Sequence, residues 1–231
     1  MAIEINKKKI FIDEKEVLRY LGYKGQKISL ELEELVYETI GEAEEILRPK
    51  YTYRYFQVYR EKGCVLLGKI PLILRGKDIF KHLWNSNGCF LLCGTIGCDI
   101  DRRIRYYEKI NLTKAIILDA CGTVAIENLC DYASETVKNH EKVIGKAITT
   151  RYSPGYGDLS IDIQKDFLES IDATKIVGVT TNSEGLLLPR KSVTAIIGVI
   201  PKEVKKKDNG CSQCENRQSC EYRRERYEHE D

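Results

Sequence analysis

The sequence predicts an α+β protein, a mainly antiparallel sheet covered by helices, and three observations carry that expectation. Helical and strand patterns come in blocks, without the regular βαβ alternation of a parallel sheet. Residues 51–59 (Tyr-Thr-Tyr-Arg-Tyr-Phe-Gln-Val-Tyr) alternate with a period of two, as a half-buried strand does. Residues 89–96 (Cys-Phe-Leu-Leu-Cys-Gly-Thr-Ile) are an apolar run of the kind found in strands buried on both faces.

The elements follow in order. Residues 13–21 form a short helix ended by Gly22 and Gly25. Ser29 N-caps a longer one, with Glu31, Glu33 and Glu34 near the positive end of its dipole and Leu32, Leu35, Val36, Ile40, Ala43, Ile46 and Leu47 at helical spacing up to Pro49. After the tyrosine-rich strand, residues 65–67 and 72–74 continue as strands and 78–84 make a brief helix. Gly97 ends the buried strand. Asp99 or Asp101 caps a basic helix carrying Arg102, Arg103 and Arg105, and 112–139 is a long helix in which Gly122 marks a close approach. This helix pair is expected to cover one sheet face. Residues 143–150 return to a strand, Ser160 caps a helix with the stripe Ile163, Phe167, Leu168 and Ile171, and 176–180 and 192–199 are the last strands. The expected division is an N-terminal helical and strand region over 1–86, a core over 87–201, and a linker with a charged, cysteine-rich tail over 202–231.

Composition narrows the function classes. The 231 residues, 42% of them hydrophobic, suffice for one sizeable core or two small ones. A formal net charge of +2 creates no single-sign field, so charge implies neither a nucleic-acid nor a membrane partner. No apolar run approaches the roughly 18 residues of a membrane span. Residues 1–9 lack the apolar segment of a secretory signal, so a cytoplasmic protein is expected. The nine cysteines, an odd number, are read as thiols of a reducing compartment, with Cys64, Cys89, Cys93, Cys121 and Cys130 acting as small buried hydrophobes.

Chemistry concentrates in Arg151-Tyr152-Ser153-Pro154-Gly155-Tyr156-Gly157-Asp158. Pro154 and Gly155, second and third in Ser153-Pro154-Gly155-Tyr156, fit a type II turn. Arg151 offers a planar fork to a carboxylate and Tyr156 a flat ring to a heterocycle or cation, a pair suited to a zwitterionic aromatic ligand. A plain strand-to-helix connection is the alternative. Glu127 and Asp131, four apart, share a helix face, either as a solvated pair or as partners of a cation. Cys211-x2-Cys214-x5-Cys220 has the spacing of a zinc or iron–sulfur half-site that needs a fourth ligand, from His229, Cys89, Cys93 or Cys98; free or disulfide-linked thiols are the alternative. No side-chain nucleophile stands out, since Cys121 lies mid-helix and His82, His140 and His229 form no pattern with it.

The run Arg151-x-x-Pro154-Gly155-Tyr156, followed by Pro189-Arg190-Lys191-Ser192-Val193-Thr194, resembles the activation domain of cobalamin-dependent methionine synthase, over about residues 87–200. In that family the loop binds S-adenosylmethionine. The resemblance implies a free-standing protein of that fold, with Arg151, Ser153, Pro154, Gly155, Tyr156, Glu127 and Asp131 on the cofactor. It implies a partner too: a methionine synthase lacking its own activation domain, whose cob(II)alamin takes an electron from a flavodoxin-like donor and a methyl group from the sulfonium. Two positions depart from the family pattern. Gly145-Lys146 stands where relatives carry a carboxylate, and Ile196-Ile197 where they carry an aromatic residue. The competing readings are a metal-binding interaction module and an activator of another corrinoid methyltransferase. A cluster at Cys211, Cys214 and Cys220 would serve electron delivery to cobalt.

Overall fold

A computed structural model describes residues 3–68 and 70–204. The Cys211, Cys214 and Cys220 half-site and His229 lie outside the described residues. The chain runs β1 (Ile3–Glu4), α1 (Glu14–Tyr20), α2 (Leu30–Ile46), β2 (Lys50–Glu61), β3 (Cys64–Leu67), β4 (Ile73–Arg75), α3 (Lys77–His82), β5 (Gly88–Thr95) and α4 (Asp99–Tyr107). It continues with α5 (Leu112–Lys138), β6 (Lys146–Ile148), α6 (Gln164–Ser170), α7 (Ala173–Val177), β7 (Thr180–Thr181), β8 (Leu187–Leu188) and β9 (Ser192–Pro201).

The expected α+β fold is present. Strands pair in the order β4-β3-β2-β5-β9-β6, with β1 on β2, and every pairing is antiparallel. The apolar run of β5 sits between β2 and β9 and is buried along all of its length. Its alternate side chains divide two cores, as the pleat requires. Phe90 and Leu92 meet α2, α4 and α5 through Val36, Ile100, Leu118 and Leu129, while Cys89, Leu91 and Cys93 meet Ile79 of α3 and Phe167 and Leu168 of α6. Helices thus cover both faces. The cap expected at Ser29 forms, its Oγ accepting from the N–H of Leu32 at 3.3 Å. At Gly122 a β-carbon would come within 3.1 Å of Ile100 Cδ1 and of Lys191 Cε, so the close approach expected there is real.

Four local expectations are corrected. Residues 176–180, four of them β-branched, read as a strand, but Ala173–Val177 forms α7, bracketed by left-handed residues at Asp172 and Gly178; tertiary packing of Ala173 and Val177 on the core overrides propensity. The strand over 143–150 shrinks to β6, preceded by a 3-10 turn at Glu141–Val143. Neither Asp99 nor Asp101 caps α4: Cys98 holds the N-cap position without a side-chain bond, Asp99 pairs with Arg102, and buried Asp101 accepts from the N–H of Arg190 at 2.8 Å. Cys64 is half-buried, not buried as Cys89, Cys93, Cys121 and Cys130 are.

Candidate functional site

A local irregularity aims the Arg151 loop. Ile148 stands opposite Val199 and Tyr152 opposite Ile196, so four residues advance on one strand against three on its neighbour, which is the extra residue of a β-bulge. Facing residues share a side of the sheet. Ile148 and Val199 lie in the core under α5, and Ile196 lies in the opposite core, against which Tyr152 packs. The bulge therefore sends Arg151 toward α5; regular pairing would have sent it to the other face. Thr149 seals the bulge, its N–H donating to the Gly198 carbonyl at 2.9 Å and its Oγ accepting from the N–H of Gly198 at 2.9 Å. His82 Nε2 lies 2.9 Å from the same Oγ, and its ring packs on Tyr152 with centroids 5.1 Å apart.

On α5 the guanidinium meets a ready-made acceptor set. Arg151 Nη1 donates to Asp131 Oδ1 at 2.7 Å and to Ser134 Oγ at 3.2 Å, and Nη2 donates to Glu127 Oε2 at 3.1 Å. Positions 127, 131 and 134 fall on one helix face, which is why a single side chain reaches all three. Desolvation opposes the Arg151 charge, but Cys130, Asp131 and Glu127 outweigh it and hold its pKa above the ordinary value. Cys130, beneath the guanidinium, is pushed up to about 12 by burial and is a neutral thiol at ordinary pH. The Arg151 side chain is 25% exposed, Glu127 41% and Asp131 62%, so the cluster stays open to solvent.

The bend beyond has the expected geometry. The N–H of Tyr156 donates to the Ser153 carbonyl at 3.2 Å and Gly155 has φ of 90°, the closing bond and positive φ of a type II turn. Pro154 is buried, whereas Tyr156 is 68% exposed and its ring is unstacked in the described structure. The far end of the bend is fastened by Asp158, whose carboxylate accepts from the N–H groups of Lys77 and Asp78. It thereby caps α3, where Gly76 at the N-cap position has no side chain to do so. Tyr152 Oη donates to the Tyr156 carbonyl at 3.1 Å.

The second run, Pro189–Thr194, also meets α5. Lys191 Nζ lies 3.0 Å from Asp119 Oδ1 and donates to Thr123 Oγ1 at 2.8 Å, about two turns and one turn respectively from Glu127 of the Arg151 cluster. Sequence reasoning singled out Arg151, Glu127 and Asp131 separately, and the structure places them in contact. It missed Ser134, Tyr152 and Asp158. Ser134 was legible as the next residue of the 127–131 stripe, whereas the roles of Tyr152 and Asp158 depend on pairings distant in sequence. Cys89 and Cys93 are buried, and burial pushes the Cys89 thiol up to about 12 and raises that of Cys93 as well. No cluster of three or more metal-ligating side chains occurs among the described residues. No helix among them is long and apolar enough to cross a membrane.

No protein-family model matches the sequence, and no curated protein matches it either. The structure is similar to the crystal structure of the MetH reactivation domain bound to AdoHcy, with a TM-score of 0.67 and 14% identity over 87% of this chain and 78% of that one. The likeness is one of fold. The α+β architecture expected from the sequence is that of the MetH reactivation domain.

Proposed function

We propose that the protein binds S-adenosylmethionine at the Arg151 bend and reactivates a cobalamin-dependent methionine synthase carried on a separate chain. The observation that carries this reading is the Arg151–Glu127–Asp131 cluster, followed five residues on in the chain by exposed Tyr156 on a type II turn. Such a cluster is matched to an amino-acid zwitterion. A ligand carboxylate can take the guanidinium from one acid while that acid receives the ligand ammonium, so the number of opposite-charge contacts is conserved. Exchange of this kind avoids leaving a half-buried charge unpaired, the costly outcome. Tyr156 supplies a free ring for the purine or the sulfonium. The solved domain with this fold was crystallised with AdoHcy, a ligand of the same class.

Held by Arg151, Glu127 and Asp131, S-adenosylmethionine would supply an activated methyl group to a client cobalt(II) already reduced by one electron from a flavodoxin-like donor, and would leave as S-adenosylhomocysteine. The chain's own task is positioning: the bend and α5 fix the amino-acid end and hold the sulfonium in one orientation. No base is required. Glu127 and Asp131 act electrostatically.

Titration calorimetry tests the reading. S-adenosylmethionine should bind the wild type, Arg151→Ala should weaken it about tenfold or more, as expected for loss of a charge-assisted fork, and 5′-methylthioadenosine, which lacks the amino-acid end, should bind no better to wild type than to Arg151→Ala. Absence of binding to the folded wild-type protein would overturn the assignment. Methyl transfer from labelled S-adenosylmethionine to a reduced client then tests the reactivation role.

A further inference from the structure

A cavity lies away from Arg151, toward the start of α5. It is an open groove of about 480 Å³ between the last turn of α1, α4 and the first half of α5, with Arg190 on its wall. Ile104, Ala115 and Ala120 form an apolar floor. Its rim is apolar as well: Leu112 is 62% exposed and Ile116 52%, and exposed Ile110 and Tyr106 continue the surface beyond the groove. Single exposed apolar residues need no explanation, but four along one helix turn and the following helix make a patch of the kind that marks interaction sites. A patch running past the cavity is longer than an enclosed small molecule needs. It matches the apolar stripe of a helix.

Charge narrows the occupant. Nearby cations elsewhere on these helices are paired, Arg102 with Asp99 and both Arg103 and Lys114 with Glu42. Arg105, Lys109 and Arg190 have no side-chain partner among the described residues. Arg190 is nonetheless fixed in place, because its backbone N–H is held by buried Asp101. Of the two carboxylates on the groove wall, Asp119 is taken by Lys191 at 3.0 Å and only Glu108 is unpaired. On the groove wall the unpaired charges are Arg190 and Glu108; the positive surplus comes from Arg105 and Lys109, the sequence neighbours of exposed Tyr106 and Ile110 where the apolar surface continues.

We propose that this groove docks an acidic amphipathic helix from a partner protein. The site is independent of the cofactor reading. Ile116 and Asp131 are separated by roughly 22 Å along α5 at 1.5 Å per residue, so a docked helix leaves the bend accessible.

Fluorescence anisotropy with a labelled model helix of about 18 residues tests this, Leu at i, i+3, i+4 and i+7 and Glu on the flanks, against a counterpart with Lys for Glu. The acidic peptide should bind, the basic one about tenfold or more weaker, and Arg190→Glu should narrow that gap. Ile116→Asp, a change at an exposed position, should abolish binding while the circular dichroism spectrum is kept, and Arg151→Ala should leave it unchanged. Four results would overturn the proposal: no binding of either peptide, equal binding of both, binding indifferent to Ile116→Asp, or saturation of the groove by dodecanoate with no peptide bound. Self-association that Ile116→Asp removes, without peptide binding, would assign the groove to a second copy and equally sink it.

Discussion

Arg151 is held by three acceptors, and its worth to the fold differs from its worth to a ligand. Each contact is partly exposed, so Arg151→Ala should cost stability only about 1 kcal/mol, in the range of exposed ion pairs, while its effect on a zwitterionic ligand is tenfold or more. Urea melts beside calorimetry separate the two; a loss of fold comparable to the loss of binding would make Arg151 structural. Thiol chemistry offers a second check at this scale. Cys89, Cys121 and Cys130 are raised to about 12 by burial, whereas Cys98 is exposed. Brief alkylation of native protein near pH 8, followed by mass spectrometry, should modify Cys98 and spare those three. Most of this chemistry was legible from residue types: a fork, a ring and two acids at helical spacing. That the fork rests on the acids was not, because the bulge that turns Arg151 toward α5 has no signature in the two threonines that form it.

At the scale of elements, the bend is built from a turn and a borrowed cap. Gly155 has φ of 90°, and an added β-carbon would find only ordinary contacts with Ile161, so the penalty of Gly155→Ala is backbone strain, about 1–2 kcal/mol. Asp158→Ala removes the only side-chain cap of α3 and should cost about 1 kcal/mol. Because the same carboxylate fastens the end of the bend, ligand affinity should fall with it; thermal melts and calorimetry on one preparation read both. A variant that loses stability without losing affinity would show that the bend keeps its shape unaided. The long helices and the strands β2, β5 and β9 were legible because burial imposes an unbroken period. By contrast α7, five residues between two left-handed positions, is set by packing, and its Ile-Val pair misled the reading.

On the scale of the whole molecule, the strand order could not be read from sequence, because it depends on which edges meet and not on which residues form strands. One consequence of that order is that β6 ends at the sheet edge against α3, bringing His82 of α3 onto the bulge. His82 is buried enough that its pKa falls from 6.5 to about 4, desolvation being the dominant cause. The folded state binds the proton less readily than the unfolded state. His82 therefore imposes no penalty above pH 6.5, and stability is lost as pH falls from 6.5 toward 4. At 1.36 kcal/mol per pH unit the loss reaches about 2 kcal/mol at pH 5, before most carboxylates titrate. Urea melts at pH 7.5, 6 and 5 should show this slope in the wild type and a flatter one in His82→Gln, which keeps a donor near Thr149 Oγ. Ligand affinity at subsaturating ligand should fall over the same window, since protonation of His82 disturbs the Thr149 bulge that aims Arg151. Equal pH slopes for wild type and His82→Gln would remove His82 as the cause and leave the bulge braced by Thr149 and Gly198 alone.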